Sequence, residues 1–420
     1  MKGLVDSKWL RERARVHPWR NLLFLGLDHL CIAVLVASAI AFDLWRRVEE
    51  WPWIASAPVW LPVALLIGVL QHRIGLMGHE ASHYLLHPNR RWNDLLADWL
   101  CFFPVFGSLA NYRAKHLDHH LHPNDPEKDP NFEGGKFERF YALFPMARRS
   151  FVIRYGLGFF WPPFVLSNLL DLLRVITLGG GAAARAQQHR GGGAPSGEKE
   201  TSPLLAGRLG VAYILALAIL LRAANLTGFS VWTTLLVSYA AGVIGWKLLP
   251  STAFAARKNA PIDPKWTALF RMTVYSAFFG TTALVLHHTG YQCFPAFFIL
   301  WVFPLVYVFP YLMLVREIFQ HANAGTGELD NSRIMKVSPW IRWALLGYGN
   351  DYHLVHHLYP NIPCYRLAEV HEHLSREAPG YRRTVTETHG LGSRTGDPGS
   401  RSLMDCLAEP SEARPTGSAG

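Results

Sequence analysis

The chain has 420 residues, half of them apolar, and carries a formal charge of +10. That length would hold two or three soluble domains. The apolar residues, however, are gathered into long runs with basic residues beside them, which speaks for a membrane protein with a positive cytoplasmic side and against a nucleic-acid-binding module with one basic face.

In chain order, residues 1–20 form a basic segment, with Lys2, Lys8, Arg11, Arg13, Arg15 and Arg20, expected to lie in the cytoplasm. The run Asn21–Trp45 follows without a small-residue cleavage site, so it is expected to be a retained membrane helix. Val59–Met77, Leu209–Leu226, Phe229–Leu249, Trp266–Leu286 and Cys293–Val315 are each near the roughly 20 helical residues that cross a hydrocarbon core. Their few charges, Asp28, Asp43, Arg73, Arg222, Lys247 and Arg271, lie mostly near ends. Asp94–Ala110 and Phe151–Ile176 are apolar but broken by Pro104 and by Pro162 and Pro163, and are expected to be interfacial or re-entrant.

The expected plan is then a first membrane hairpin with its polar segments over 21–176, a disordered Gly/Ala-rich linker over 177–206, and further membrane helices over 207–315. A cytosolic segment over 316–385 and a disordered tail over 386–420 complete it. This is an all-α integral membrane fold, with helical hairpins carrying a cytosolic helical cap, and the crossings number six, or four if fewer runs span.

Five cysteines, Cys31, Cys101, Cys293, Cys364 and Cys406, have no paired spacing, which excludes a disulfide framework and a zinc knuckle. The twenty histidines are unevenly spread. Three clusters stand out: His79 and His83; His116, His119 and His120; and His353, His356 and His357. Positions i, i+3 and i+4 of a helix share a face, so each triplet is expected to converge on one point, and all eight imidazoles on one metal site. Packing alone does not call for such triplets; His29, His72, His287 and His288 are read as ordinary packing histidines, and His87 and His122, each followed by proline, as rim residues. Eight nitrogen donors exceed what one tetrahedral zinc can use, so two ions sharing the set is the economical answer, with iron the expected metal if the task is O2 activation. Glu80, Asp118 and Asp351 lie among the ligands and are candidate acceptors that would orient the imidazoles.

The order HxxxH, HxxHH, a long hydrophobic interval and HxxHH, the last inside Asn350-Asp351-Tyr352-His353-Leu354-Val355-His356-His357-Leu358-Tyr359-Pro360-Asn361-Ile362-Pro363, resembles the membrane fatty acid desaturase superfamily. That superfamily also includes lipid and carotenoid hydroxylases and carotenoid ketolases. The resemblance runs from about Gly75 to Glu377. It implies a mushroom-like helical bundle whose cytosolic cap holds two irons, used as Fe2+ and Fe3+. It also implies one more histidine after the last membrane helix, here His321, preceded by Gln320 where many relatives have Glu. Asn350 is a further candidate to meet the metal.

The expected reaction is O2-dependent oxidation of a C–H bond in a lipid or fatty acyl substrate, with desaturation first and hydroxylation or ketolation by the same centre second. Each turnover takes two electrons. The chain has no Gly-rich dinucleotide fingerprint, no cysteine cluster and no His-Pro-Gly-Gly haem segment, so a separate ferredoxin-type or cytochrome-type donor is expected. Aromatics within Tyr291–Tyr311 are candidate walls for the substrate. A rival reading takes His79-Glu80-Ala81-Ser82-His83 as the HExxH of a membrane zinc protease, but leaves both HxxHH triplets without a purpose. A non-enzymatic metal transporter would place its histidines within the membrane helices.

Overall fold

The computed structural model describes residues 6–131, 143–178, 204–254, 260–392 and 401–409. Among the described residues helices dominate, and six of them are long and apolar enough to cross a membrane: Pro18–Val48, Trp53–Ser82, Leu205–Thr227, Val231–Leu248, Pro264–Thr289 and Cys293–His321. These correspond one to one with the expected runs. Their outward faces carry exposed Leu, Val, Ile and Trp side chains, as a lipid-facing surface requires. The segment Arg90–Val105 turns by 95° into Leu109–Leu121, which fits the re-entrant reading of Asp94–Ala110.

We label α1 (Ser7–Arg13), α2 (Pro18–Val48), α3 (Ala57–Ser82), α4 (Arg90–Ala97) and α5 (Leu109–Leu121). The second half of the last span is α6 (Val308–His321); the first half, Cys293–Val306, contains a π-helical turn at Phe298–Val302. In the cap, α7 (His353–Leu358) and α8 (Leu367–Glu377) are followed by α9 (Leu403–Ala408).

Helices α2, α3 and α6 form the stalk beneath the histidines. Gly68 of α3 makes this possible: a Cβ there would stand 2.4 Å from the Val308 Cβ, so only glycine permits α6 to come so close. Between α2 and α3, the buried Arg73 guanidinium donates to Asp28 at 3.0 Å, to the Trp343 carbonyl at 2.8 Å and to the Tyr348 hydroxyl at 2.8 Å, and Tyr348 donates to Asp28. Two charges that the sequence places near helix ends thus neutralise each other and tie the stalk to the cap.

The N-terminal segment lies on the cap. Arg13 pairs with Glu369 of α8 at 2.9 Å, Trp9 stacks on His373 with ring centroids 4.0 Å apart, and the His17 N–H donates to the Tyr365 hydroxyl at 2.8 Å. The basic N-terminus and the segment around the third histidine cluster therefore share one side of the molecule.

Two expectations need correction. The tail is not uniformly without structure: Glu387–His389 pairs in parallel with Ile334–Lys336 in a two-stranded sheet, and α9 buries Leu403 and Leu407 against Met146, Phe151 and Phe319. A capping box between Ser402 and Asp405 starts α9, and Arg148 pairs with Asp405. Six residues with apolar positions on one side suffice to dock, although the Gly, Ser and Pro around them hide the pattern. The expected linker is trimmed at both ends, since Thr177 and Leu178 end one helix and Leu204–Ala206 begin the next. Its remainder, 179–203, lies outside the described residues, as do Arg257, Lys258 and the tail at 393–400 and 410–420.

Candidate metal centre

The first histidine pair stands at the end of α3, His79 on its last turn and His83 as the residue that caps it. Carbonyls at a helix end need partners, and here they find side chains. Arg113 donates to the Ser82 carbonyl at 2.9 Å and the Ala81 carbonyl at 3.1 Å, while both its terminal nitrogens grip Asp94 at 2.9 and 2.6 Å. Asn93 adds a bond to the Ala81 carbonyl at 2.9 Å. A buried, bidentate ion pair thus fixes the turn that presents His79 and His83.

The second cluster lies on α5, which runs against α3. The third lies on α7, entered through Gly349 at φ 72°, where a Cβ would stand 2.6 Å from the Cys364 carbonyl oxygen; no other residue fits that turn. His321 ends α6, and the buried Arg333 donates to the Phe319 and Ala322 carbonyls at 3.0 and 2.5 Å, closing that helix.

These elements bring nine histidines together, but in two groups. His79, His83, His116, His120 and His356 form one; His119, His321, His353 and His357 form the other, and within each group the ligand-competent atoms lie within 4.8 Å of one another. The expectation that each triplet converges on one point does not hold. The i, i+4 pairs His116/His120 and His353/His357 stay together, while His119 and His356 cross to the opposite group. Neighbouring residues point about 100° apart around a helix axis, so a triplet between two points is divided by whichever way its helix is rotated.

The arrangement suits metal ions. Nε2 atoms face each other at 2.8 Å for His83 and His116, 2.9 Å for His116 and His120, 3.1 Å for His120 and His356, 2.9 Å for His321 and His353, and 3.1 Å for His353 and His357. Two imidazole nitrogens bound at right angles to one ion at about 2.1 Å would be about 3.0 Å apart. Buried imidazoles turned nitrogen to nitrogen would otherwise waste their hydrogen-bonding capacity. Burial pushes the ionisation of His120 down to about 2, with His83 and His119 adding to the effect, and that of His83 down to about 4, with Arg113 adding. Both rings are thus neutral, the form that binds metal.

The acceptors that orient the rings are not those the sequence suggests. Glu80 accepts the Cys364 N–H at 2.9 Å and stands 3.9 Å from His79 Nδ1, too far for a hydrogen bond. Asp351 pairs with Arg342 at 2.9 Å, and burial raises its carboxyl to about 6. Asp118 is half-buried. Asp129, which sequence reasoning missed, accepts from His119 Nδ1 at 2.8 Å, and the Asn331 carbonyl accepts from His321 Nδ1 at 3.0 Å. The only sequence signal was the turn-rich stretch Pro123–Asn131 directly after the second cluster. Gln320 donates to the Asn350 carbonyl at 3.1 Å, and Asn350 donates to the Gly347 carbonyl at 2.9 Å, so both serve the turn before α7.

His29, His72, His87, His122, His287 and His288 belong to neither group. His29 meets the Leu100 carbonyl at 2.9 Å, and His87 accepts the Asn89 N–H at 3.0 Å. Of the aromatics within Tyr291–Tyr311, Phe303 stacks on Tyr307, Trp301 donates to the Pro104 carbonyl at 2.8 Å, and Tyr311 donates to the Tyr155 carbonyl at 2.8 Å, all of them packing contacts.

Comparison with known proteins agrees with this geometry. A family model described as fatty acid desaturase matches residues 58–249 and 232–389. A dihydrorhizobitoxine desaturase of Bradyrhizobium elkanii is 23% identical over 392 residues, covering 92% of this chain and 84% of that protein. A Delta(9) fatty acid conjugase-like enzyme of Dimorphotheca sinuata is 28% identical over 126 residues, which cover 29% of this chain and 32% of that one. A zeaxanthin 4-ketolase of Chlamydomonas reinhardtii is 27% identical over 143 residues, 31% of each chain.

Proposed function

The chain belongs to the fatty acid desaturase family, and we propose that it is an O2-dependent di-iron oxidase that introduces a double bond into a fatty acyl chain. At the family level it is a multi-pass membrane oxidoreductase. The observation that carries the finer reading is the division of nine imidazoles into groups of five and four, each with nitrogens facing one another at metal-sharing distances.

One iron would be held by His79, His83, His116, His120 and His356, the other by His119, His321, His353 and His357. Bound there, the irons would supply the redox chemistry that couples O2 reduction to C–H oxidation. In the overall balance, a –CH2–CH2– unit, O2, two electrons and two protons give –CH=CH– and two waters. The protein's own part is to hold neutral imidazoles in place. Burial keeps His83 and His120 unprotonated, Arg113 and Asp94 fix the turn beneath His79 and His83, and Glu80 joins that turn to the segment after the third cluster through the Cys364 N–H. Buried Leu354, Val355 and Ile362 lie on and beside α7 and keep that side of the centre dry.

The contact of the basic N-terminus with the cap supports, under the positive-inside rule, a cytoplasmic position for the histidines, where a separate ferredoxin-type or cytochrome-type donor would deliver the electrons. The match to a ketolase favours a second reading in which the same centre hydroxylates or ketolates a lipid or carotenoid.

The test is metal analysis of detergent-purified protein together with lipid profiling of expressing cells. About two irons per chain with nitrogen-rich ligation, and a new unsaturated acyl product, are expected. A single zinc that survives replacement of both His119 and His356 would overturn the oxidase reading and bring forward an HExxH protease.

A further inference from the structure

The two histidine groups are oriented by different means. His119 Nδ1 lies 2.8 Å from Oδ2 of Asp129, a carboxylate only 1% exposed. The same side chain accepts the N–H of Asn124 at 2.9 Å and, through Oδ1, the N–H of Asn131 at 2.9 Å. The Asn131 amide also lies 3.3 Å from His119 Nδ1. Asn124, at φ 62°, sends its amide to the carbonyls of Gly325 and Asn331 at 2.7 and 2.8 Å. The Asn331 carbonyl is also the acceptor for His321 Nδ1. Both imidazoles that join the four-histidine group from outside α7 therefore hang on one polar network, in which Asn124 bridges the loop after α5 to the loop after α6. Among the described residues, the Nδ1 atoms of His79, His120 and His356 in the five-histidine group have no hydrogen-bond partner, nor do those of His353 and His357 on α7, so within the four-histidine group the ring support falls on His119 and His321.

A carboxylate on Nδ1–H fixes the tautomer that leaves Nε2 free, holds the ring's orientation and makes Nε2 a stronger donor to a metal. We propose that Asp129 is the positioning residue of the four-histidine group and makes the two metal sites inequivalent: the ion held by His119, His321, His353 and His357 depends on Asp129, and the ion of the other group does not. This inference rests on the metal-centre reading above. Asp129 touches neither substrate nor metal; it acts through the His119 ring.

The test uses full-length protein purified in detergent after growth on 57Fe, with iron counted and Mössbauer spectra recorded for wild type, Asp129→Asn and Asp129→Ala. Wild type is expected to hold two irons with two distinguishable signals. In Asp129→Asn, which keeps one oxygen acceptor for the Asn124 or the Asn131 N–H and the shape of the side chain, iron affinity at one site should fall by about 10–100-fold against a chelator, one signal being lost and the other unchanged. Retention of one iron would itself show that the chain is folded. If Asp129→Ala fails to fold, the Asn variant decides the matter. Two irons bound as in wild type, or both weakened equally, would overturn the inference while leaving the metal centre intact. A wild-type protein holding no iron would overturn the metal-centre reading, and this inference with it.

Discussion

The five-histidine group and the four-histidine group are made of the same side chain at the same spacings, yet they are built from opposite ends. The first starts on a membrane helix, and its support acts on the backbone: Arg113 and Asn93 hold the terminal carbonyls of α3, and Asp94 neutralises Arg113. The second is assembled mainly from the cap, and its support acts on the rings, through Asp129 and the Asn331 carbonyl. A rigid helix needs only its end tied down to aim a histidine. His119, which leaves its own cluster for the four-histidine group, has its ring held directly, whereas His356, which crosses the other way, has no such partner on Nδ1 among the described residues.

The comparison is broken most severely by removing a ligand from one group at a time. His356→Ala and His119→Ala are each expected to lower iron from about two per chain to about one and to cost at least about 100-fold in product formation. The two variants should retain complementary Mössbauer signals, and identical residual spectra would refute the division. Next comes the backbone support. Arg113→Ala leaves Asp94 buried and unpaired, an expected loss of about 3–5 kcal/mol in detergent unfolding, with the Arg113→Ala/Asp94→Ala pair less damaging than the sum of the single changes.

On the other side, α9 packs against the helix that ends in His321, so Leu407→Ala should cost about 2–3 kcal/mol and show in the same unfolding assay. The smallest change sharpens the picture rather than breaking it. Glu80→Gln weakens the bond to the Cys364 N–H by about 1 kcal/mol and is expected to preserve both irons and much of the activity, whereas a zinc protease would lose all activity.

How much was legible follows from what is local. The six spans could be read from runs of apolar residues, and the histidine pairs at i, i+4 from spacing, because both patterns are properties of a single helix. Asp129 and Arg113 could not be singled out: an aspartate in a loop and an arginine on α5 look like any solvated charge until a histidine ring or a helix end arrives beside them. The three acidic residues closest to the ligands in sequence were the natural guess for orienting them, and none does so at hydrogen-bonding distance among the described residues, since residues one or two places from a ligand point to other sides of the helix. Residues 401–409 were hidden by the composition around them; their docking site consists of residues more than 80 positions away in Phe319 and more than 250 away in Met146.

The sequence by itself determined the membrane-spanning architecture and eight of the nine histidines, because hydrophobic run length and helical periodicity act within each segment; the ninth, His321, followed from the family resemblance. Only the tertiary structure decided which histidine joins which group, which polar side chains hold them, and that part of the tail belongs to the cap. Those outcomes depend on how helices far apart in sequence are rotated and packed against one another, and no local pattern encodes that rotation.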